Sequence, residues 1–125
     1  MARRHSYRSD FELHLAKRLA DRGVKFEYEK ARLAYIPKPK IYTPDFYLPE
    51  QDIYIEAKGY FTPADRQKML LVIAQNPELD IRMLFLRASN RLNRSSKTTY
   101  SKWCDKHGIL WADNTIPEEW LEKKK

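Results

Sequence analysis

The sequence predicts an α/β fold, a central mixed five-stranded sheet flanked by helices. Three observations carry this. Five short runs rich in β-branched and aromatic residues, at 24–29, 42–48, 53–59, 80–86 and 109–112, read as strands. Helix-start patterns at Ser9, at Thr62 and at Thr98 or Thr99 fall between or before them. The runs at 42–48 and 53–59 are joined by a four-residue turn, which calls for an antiparallel hairpin. The runs at 53–59 and 80–86 are joined by a helix, which calls for a crossover and parallel pairing. A chain of 125 residues is one domain with a real core.

Residues 1–8 form a flexible basic arm, in which Arg3, Arg4 and Arg8 either reach a phosphate backbone or stay solvated. Ser9-Asp10-Phe11-Glu12 is a capping-box pattern for a helix to about Arg22, with Gly23 as its stop. Phe11, Leu15 and Leu19 recur every four residues as the buried stripe, and Glu12 lies beside it as the capping partner of Ser9. Val24–Glu29 alternates apolar and charged, so it reads as a strand with one wet face. The chain is then expected to stay extended through Leu33–Ile36 into Pro37-Lys38-Pro39-Lys40, because two prolines one residue apart suit a stiff connector and not a central strand. That connector fits a bridge between two halves of a dimer, or an ordinary edge segment.

The turn Pro49-Glu50-Gln51-Asp52 divides the run Tyr42–Leu48 from the run Ile53–Gly59. A hairpin symmetric about it puts Leu48 opposite Ile53, Phe46 opposite Ile55 and Asp45 opposite Glu56, with Cβ atoms about 4.5–5.5 Å apart. Two like charges about 5 Å apart repel by roughly 3 kcal/mol at an effective dielectric near 20. A divalent cation between them reverses the sign of that energy, and Lys58, on the same strand face as Glu56, offsets part of it. On a solvent face Glu-x-Lys is an ordinary pair; here both strands are apolar on both sides, which argues for a buried site.

Thr62-Pro63-x-Asp65 starts a helix that runs to about Gln75 and ends at Asn76-Pro77. Asp80–Leu86 is a buried strand. Arg87 to Lys106 is the most basic stretch, with Arg87, Arg91, Arg94, Lys97, Lys102 and Lys106 against one acid, Asp105. Ala88–Ser96 reads as a loop, followed by a helix to His107 with Gly108 after it. Its interleaved hydroxyl and amide side chains donate to phosphate oxygens as basic groups do, so nucleic-acid contact is favoured over a merely solvated loop. Ile109–Ala112 is a last strand, and Pro117–Leu121 a terminal helical turn held by Trp120.

The net charge of +7 favours a polyanionic partner. A single cysteine, Cys104, excludes an intrachain disulfide and fits a reducing compartment. No apolar run is long enough to span a bilayer, and Met1–Ser6 is not followed by the apolar stretch of a signal peptide, so a soluble, cytoplasmic protein without a membrane partner is expected. Cys104 and His107 share a helical face, but two ligands do not make a zinc site. No phosphate-binding loop or dinucleotide fingerprint appears, and no small-molecule cofactor is expected.

The pattern Pro44-Asp45 followed by Glu56-x-Lys58 resembles the PD-(D/E)XK nuclease superfamily, which implies a restriction-endonuclease-like core in which the carboxylates hold Mg²⁺ and the lysine lies by the attacking water. More of the chain resembles the phage endonuclease I family, Holliday-junction resolvases of podophages. The resemblance runs through Tyr7-Arg8-Ser9, Gly23–Lys30, Tyr42–Phe46, Ile55–Gly59, Pro77–Arg82, Ser96–Tyr100, Trp103–Gly108 and Ile116–Leu121. It implies a catalytic set of Glu12, Asp45, Glu56 and Lys58, and two Mg²⁺ or Mn²⁺ ions held by Asp45, Glu56, the carbonyl of Ala57 and Glu12. It also implies a domain-swapped homodimer with an extended β-bridge: residues 9–35 exchanged, 36–41 the bridge and 42–125 the core. Ala57 stands where relatives carry Thr, a change that leaves the carbonyl in place. The expected function is a structure-selective DNA endonuclease acting on four-way junctions in an infected bacterial host, with Arg3, Arg4, Arg8, Arg87, Arg91, Arg94 and Lys97 on the DNA. The alternatives are a restriction, repair or transposon-type endonuclease of linear duplex, and a non-catalytic nucleic-acid-binding protein.

Overall fold

The computed structural model describes residues 7–35 and 40–123. Five strands make the central sheet: β1 (Glu27–Tyr28), β4 (Phe46–Leu48), β5 (Ile53–Lys58), β6 (Ile81–Phe85) and β7 (Trp111–Asp113), in the order β1-β4-β5-β6-β7. The first two pairings are antiparallel and the last two parallel, so the sheet is mixed as expected. Helix α1 (Asp10–Asp21) precedes the sheet, α2 (Pro63–Gln75) makes the crossover from β5 to β6, and α3 (Tyr100–Lys106) joins β6 to β7. A 3-10 turn at Glu118–Leu121 closes the chain.

Strand alternation divides the core into two layers. On one side Leu15, Ala16 and Leu19 of α1 pack on Phe46, Leu48, Ile53 and Ile55, with Trp120 and Leu121 closing the edge. On the other, Met69 and Val72 of α2 and Trp103 and Cys104 of α3 pack on Ile81, Met83 and Phe85. In β5 the residues between Ile53, Ile55 and Ala57 therefore look to the second side, which gives Glu56 and Lys58 a common face. The hairpin register is the expected one: Leu48 pairs with Ile53 and Phe46 with Ile55.

Three boundaries differ from the sequence reading. The run 42–48 is two strands, because Thr43-Pro44-Asp45 is a corner; Pro44 has no N–H for a ladder and its φ is fixed. Before the corner, β3 (Lys40–Tyr42) leaves the main sheet and pairs antiparallel with β2 (Leu33–Tyr35), Leu33 opposite Tyr42. These two strands pair within one chain; Ile36–Pro39, most of the expected bridge, lies outside the described residues, as do Arg3 and Arg4. Strands β1 and β7 also begin later than expected, for one shared reason. Gly23 (φ +70°) and Gly108 (φ +69°) close α1 and α3, and the next residues give their amides to the helices: Val24 to the Leu19 carbonyl and Ile109 to the Cys104 carbonyl, each at 2.9 Å. A residue closing a helix is not free to open a strand.

All three helix starts use their expected cap residues. Ser9 Oγ accepts the Glu12 amide at 3.0 Å, and Thr62 with Asp65 forms a reciprocal capping box. Thr99 caps α3. A Cβ added at Gly23 meets nothing within 4 Å, so its whole cost is the left-handed backbone. Gly23→Ala is accordingly expected to lower unfolding stability by about 1 kcal/mol with no change in the denaturant m-value, measured by chemical denaturation.

Candidate active site

The corner at Asp45 sets the site. Asp45 is 1% exposed, and Glu56 (3%) and Glu12 (5%) are buried with it. Asp45 divides its two oxygens between two halves of the site. Oδ2 accepts the Ala57 amide at 2.8 Å, which ties the corner to β5. Oδ1 accepts from the Arg8 guanidinium at 3.2 Å, which faces α1.

On the β5 side, Glu56 Oε1 accepts the Tyr42 hydroxyl at 2.7 Å, and Glu56 Oε2 lies 3.3 Å from Lys58 Nζ. Lys58 Nζ also lies 3.4 Å from Asp65 Oδ1. Asp65 thus caps α2 with one oxygen and holds the lysine with the other. Burial alone would lower the pKa of Lys58, but Glu56 and Asp65 more than offset it and the net shift is upward. The lysine of this site is a fixed cation.

On the α1 side, Glu12 does not complete the capping box that its spacing suggests. Its amide goes to Ser9, but Oε1 takes the Tyr28 hydroxyl at 2.6 Å and the Arg8 amide at 2.9 Å. The carboxylate is thereby swung off the helix end and toward Asp45. A third acid joins them. Glu29 follows β1 with φ +52°, and its amide donates to the Asp45 carbonyl at 3.2 Å. Carboxylate oxygens of Glu12, Glu29 and Asp45 all lie within 4.8 Å of one another. The Arg8 side chain reaches all three, at 3.6 Å from Glu12, 2.8 Å from Glu29 and 3.2 Å from Asp45.

The electrostatics follow from burial. Desolvation, then the negative charge of Glu56, pushes Asp45 up to about 8, against which the Ala57 amide is a partial counterweight. The Arg8 side chain is 67% exposed and its charge is too screened by water to cancel the effect. Glu56 is also raised by burial, in spite of Lys58 and Tyr42. A buried carboxylate that prefers its proton at neutral pH marks a place short of positive charge. All donors here are hard oxygens, which suits Mg²⁺ or Mn²⁺ and not a thiophilic metal.

Within one chain the structure brings together Glu12, Asp45, Glu56, Lys58 and the Ala57 peptide, where the resemblance implied that Glu12 comes from a partner chain. Arg8, expected on DNA, sits among the carboxylates instead. Arg87, Arg91, Arg94 and Lys97 are exposed on the segment between β6 and α3, and none forms an ion pair with another described residue. That segment is anchored at its root: the Ala88 amide donates to Asp113 Oδ1 at 2.7 Å and the Leu92 amide to the Thr98 carbonyl at 2.9 Å. The sequence reading missed Glu29, Tyr28, Tyr42 and Asp65. Asp65 was visible as a cap; nothing in the local pattern of Glu29 sets it apart from an ordinary wet-face acid.

The chain is similar to known phage endonucleases. The family profile described as phage endonuclease I matches residues 1–125. The chain is 43% identical over 122 residues to "Endonuclease I" of Escherichia phage T7, covering 96% of this chain and 81% of that protein. It is likewise 43% identical to "Endodeoxyribonuclease 1" of Enterobacteria phage T3, covering 96% of this chain and 80% of that one.

The raised Asp45 pKa has a stability consequence. The folded state holds a proton up to about pH 8 that the unfolded chain releases near its ordinary value of 3.8. Stability is therefore greatest at low pH with respect to this group and is lost as pH rises through that window. Without divalent cations, the melting temperature of the wild type should fall from about pH 5 to about pH 8 relative to Asp45→Asn, whose profile should be flatter. Parallel profiles for the two proteins would show that Asp45 is ionised throughout.

Proposed function

The chain belongs to the phage endonuclease I family, and on that premise we propose that it is a DNA endonuclease that cuts four-way junctions and other branched DNA by metal-dependent phosphodiester hydrolysis. The observation that carries the reading is Asp45, buried between Glu56 on one side and Glu12 on the other, in a protein of net charge +7. A basic protein that only binds nucleic acid gains nothing from burying three acids together.

The donor set fits a pair of divalent cations. Asp45, Glu56 and the Ala57 carbonyl would hold one, and Asp45 with Glu12 the other. Bound there, such ions supply a water of lowered pKa and neutralise charge on the scissile phosphate. The remaining work falls to the chain itself. Tyr42 fixes the orientation of Glu56, Tyr28 that of Glu12, and the Ala57 amide that of Asp45. Lys58, held charged by Glu56 and Asp65, orients the attacking water by hydrogen bonding and stabilises negative charge as it builds on the phosphate. Beside Glu56 and Asp65, and before any cation binds, the lysine favours its charged form, which suits an electrostatic role.

Two symmetric cuts across a branched substrate call for a two-fold dimer. The β2–β3 hairpin offers a route to one. The same pairs, Leu33 with Tyr42 and Tyr35 with Lys40, could form between two chains, and Glu12 would then meet the Asp45 of the partner. Arg87, Arg91, Arg94 and Lys97 would bind the phosphate backbone, which reads shape and not sequence, and Arg3 and Arg4 would extend that contact from the arm. Among the described residues no helix is long and apolar enough to cross a membrane, and the proposed setting is the cytoplasm of an infected bacterial host.

Asp45→Asn and Glu56→Gln should each slow cleavage of a four-way junction by about 10²-fold or more while junction affinity is kept or raised, since neither substitution removes a cation that phosphate contacts. Cleavage should require Mg²⁺ or Mn²⁺ and stop in EDTA. Binding should weaken with salt at a log–log slope of about −0.9 per phosphate neutralised. Equal cleavage of a junction and of its isolated arms would favour a duplex endonuclease, and no cleavage in any metal would favour a non-catalytic binder. Light scattering of the purified protein tests the dimer.

A further inference from the structure

The link from β5 to α2 carries an aromatic ring that the site as described does not use. Both ends of this link are pinned. The Leu86 amide donates to the Lys58 carbonyl at 3.0 Å, and the Phe61 amide donates to the Tyr100 hydroxyl at 3.2 Å. The Phe61 ring is 1% exposed and packs on Phe85, Tyr100 and Trp103, with centroids 5.2, 5.7 and 4.9 Å away. Between these anchors Tyr60 is 83% exposed. The other seven of the eight tyrosines are buried or half-buried. Leu86, 41% exposed, follows β6, the parallel neighbour of β5, and the exposed Arg87 follows it. An aromatic ring, an aliphatic side chain and a guanidinium thus gather at the carboxyl ends of two adjacent parallel strands, where ligands of such sheets bind.

We propose that Tyr60 is a specificity-determining residue: a platform on which a base exposed at the branch point stacks while the adjacent phosphate lies at Lys58. Tyr60 is two residues past Lys58, so their Cα atoms are at most about 7 Å apart. One strand of DNA presents a phosphate about every 3.4 Å of helix axis. Allowing for the reach of both side chains, the ring meets a nucleotide within a few steps of the phosphate being cut. In continuous duplex both faces of every base are covered by neighbours, and the platform gains nothing. At a branch a base face is exposed, and an aromatic side chain stacks on it whatever its identity. Such a residue selects structure and not sequence. Arg87, beside it, supplies a charge for the flanking phosphate. This inference rests on the proposed endonuclease function and adds to it the feature of DNA that is read.

The test uses a four-way junction with 2-aminopurine at the branch nucleotides, in EDTA so that no strand is cut. Wild-type protein should quench the 2-aminopurine fluorescence on binding. Tyr60→Ala should lose the quench and bind the junction at least about fivefold more weakly. Its salt slope and its affinity for continuous duplex should be unchanged, because no cation is removed. Tyr60→Trp should restore both quench and affinity. Tyr60→Ala with full quench and an unchanged ratio of junction to duplex affinity overturns the assignment while leaving the endonuclease reading in place. Wild-type protein that binds junction and duplex equally overturns the assignment together with the junction selectivity of the proposed function.

Discussion

One carboxylate, Asp45, is shared between two halves of the molecule, and its burial organises everything around it. Its Oδ2 is tied to the backbone of β5 through the Ala57 amide, and its Oδ1 faces α1 through Arg8. An acid so placed is costly unless positive charge is close. The fold answers in part from both sides. Lys58 is brought to Glu56 by strand alternation, and Asp65 keeps it there from the first turn of α2. Arg8 is brought to Glu12, Glu29 and Asp45 from just before the first turn of α1. Each helix start therefore serves the site as well as its own caps.

The two cations differ in kind. The Lys58 side chain is 21% exposed and sits in a core layer, so it is a permanent part of the β5 half. The Arg8 side chain is 67% exposed and lies at the end of the basic arm. A guanidinium in that position has two kinds of anion within its chemistry, the carboxylates beneath it and phosphate oxygens outside. It cannot satisfy both fully at once. The sequence reading placed Arg8 on phosphate, and the structure gives it carboxylate partners; both follow from the same planar fork of donors, and which set wins depends on what else is near.

Most of the sheet and half of the site were legible because they depend on short-range rules. Register across a four-residue turn follows from counting, so Leu48 opposite Ile53 and Phe46 opposite Ile55 could be read directly, whereas the bond from the Ala57 amide to Asp45 could not. The side of β5 that carries Glu56 and Lys58 follows from the period of two. What could not be read depends on where a chain turns. The corner at Pro44 separates β3 from β4 and sends Tyr42 to Glu56; an uninterrupted strand would have sent it elsewhere. The left-handed conformation of Glu29 aims it at Asp45, and glutamate carries no local signal for such a backbone. Glu12 was found by resemblance, since its spacing from Ser9 pointed only to a cap.

That last case shows how local and global demands were reconciled. A capping box needs the carboxylate at the third helical position to reach back to the cap residue's amide. Here it reaches one residue further, to the Arg8 amide, and still receives the Tyr28 hydroxyl from β1. The amide hydrogen bond that would have stabilised the helix start is therefore kept in shifted form, while the other oxygen stays available toward Asp45. Tyr28 is the residue that makes the shift possible. Its ring packs against Phe46, next in chain to Asp45, so the hydroxyl that orients Glu12 is positioned by the same corner that positions Asp45. Two acids from distant elements are thus held in register by one aromatic contact, and an error in either would displace both.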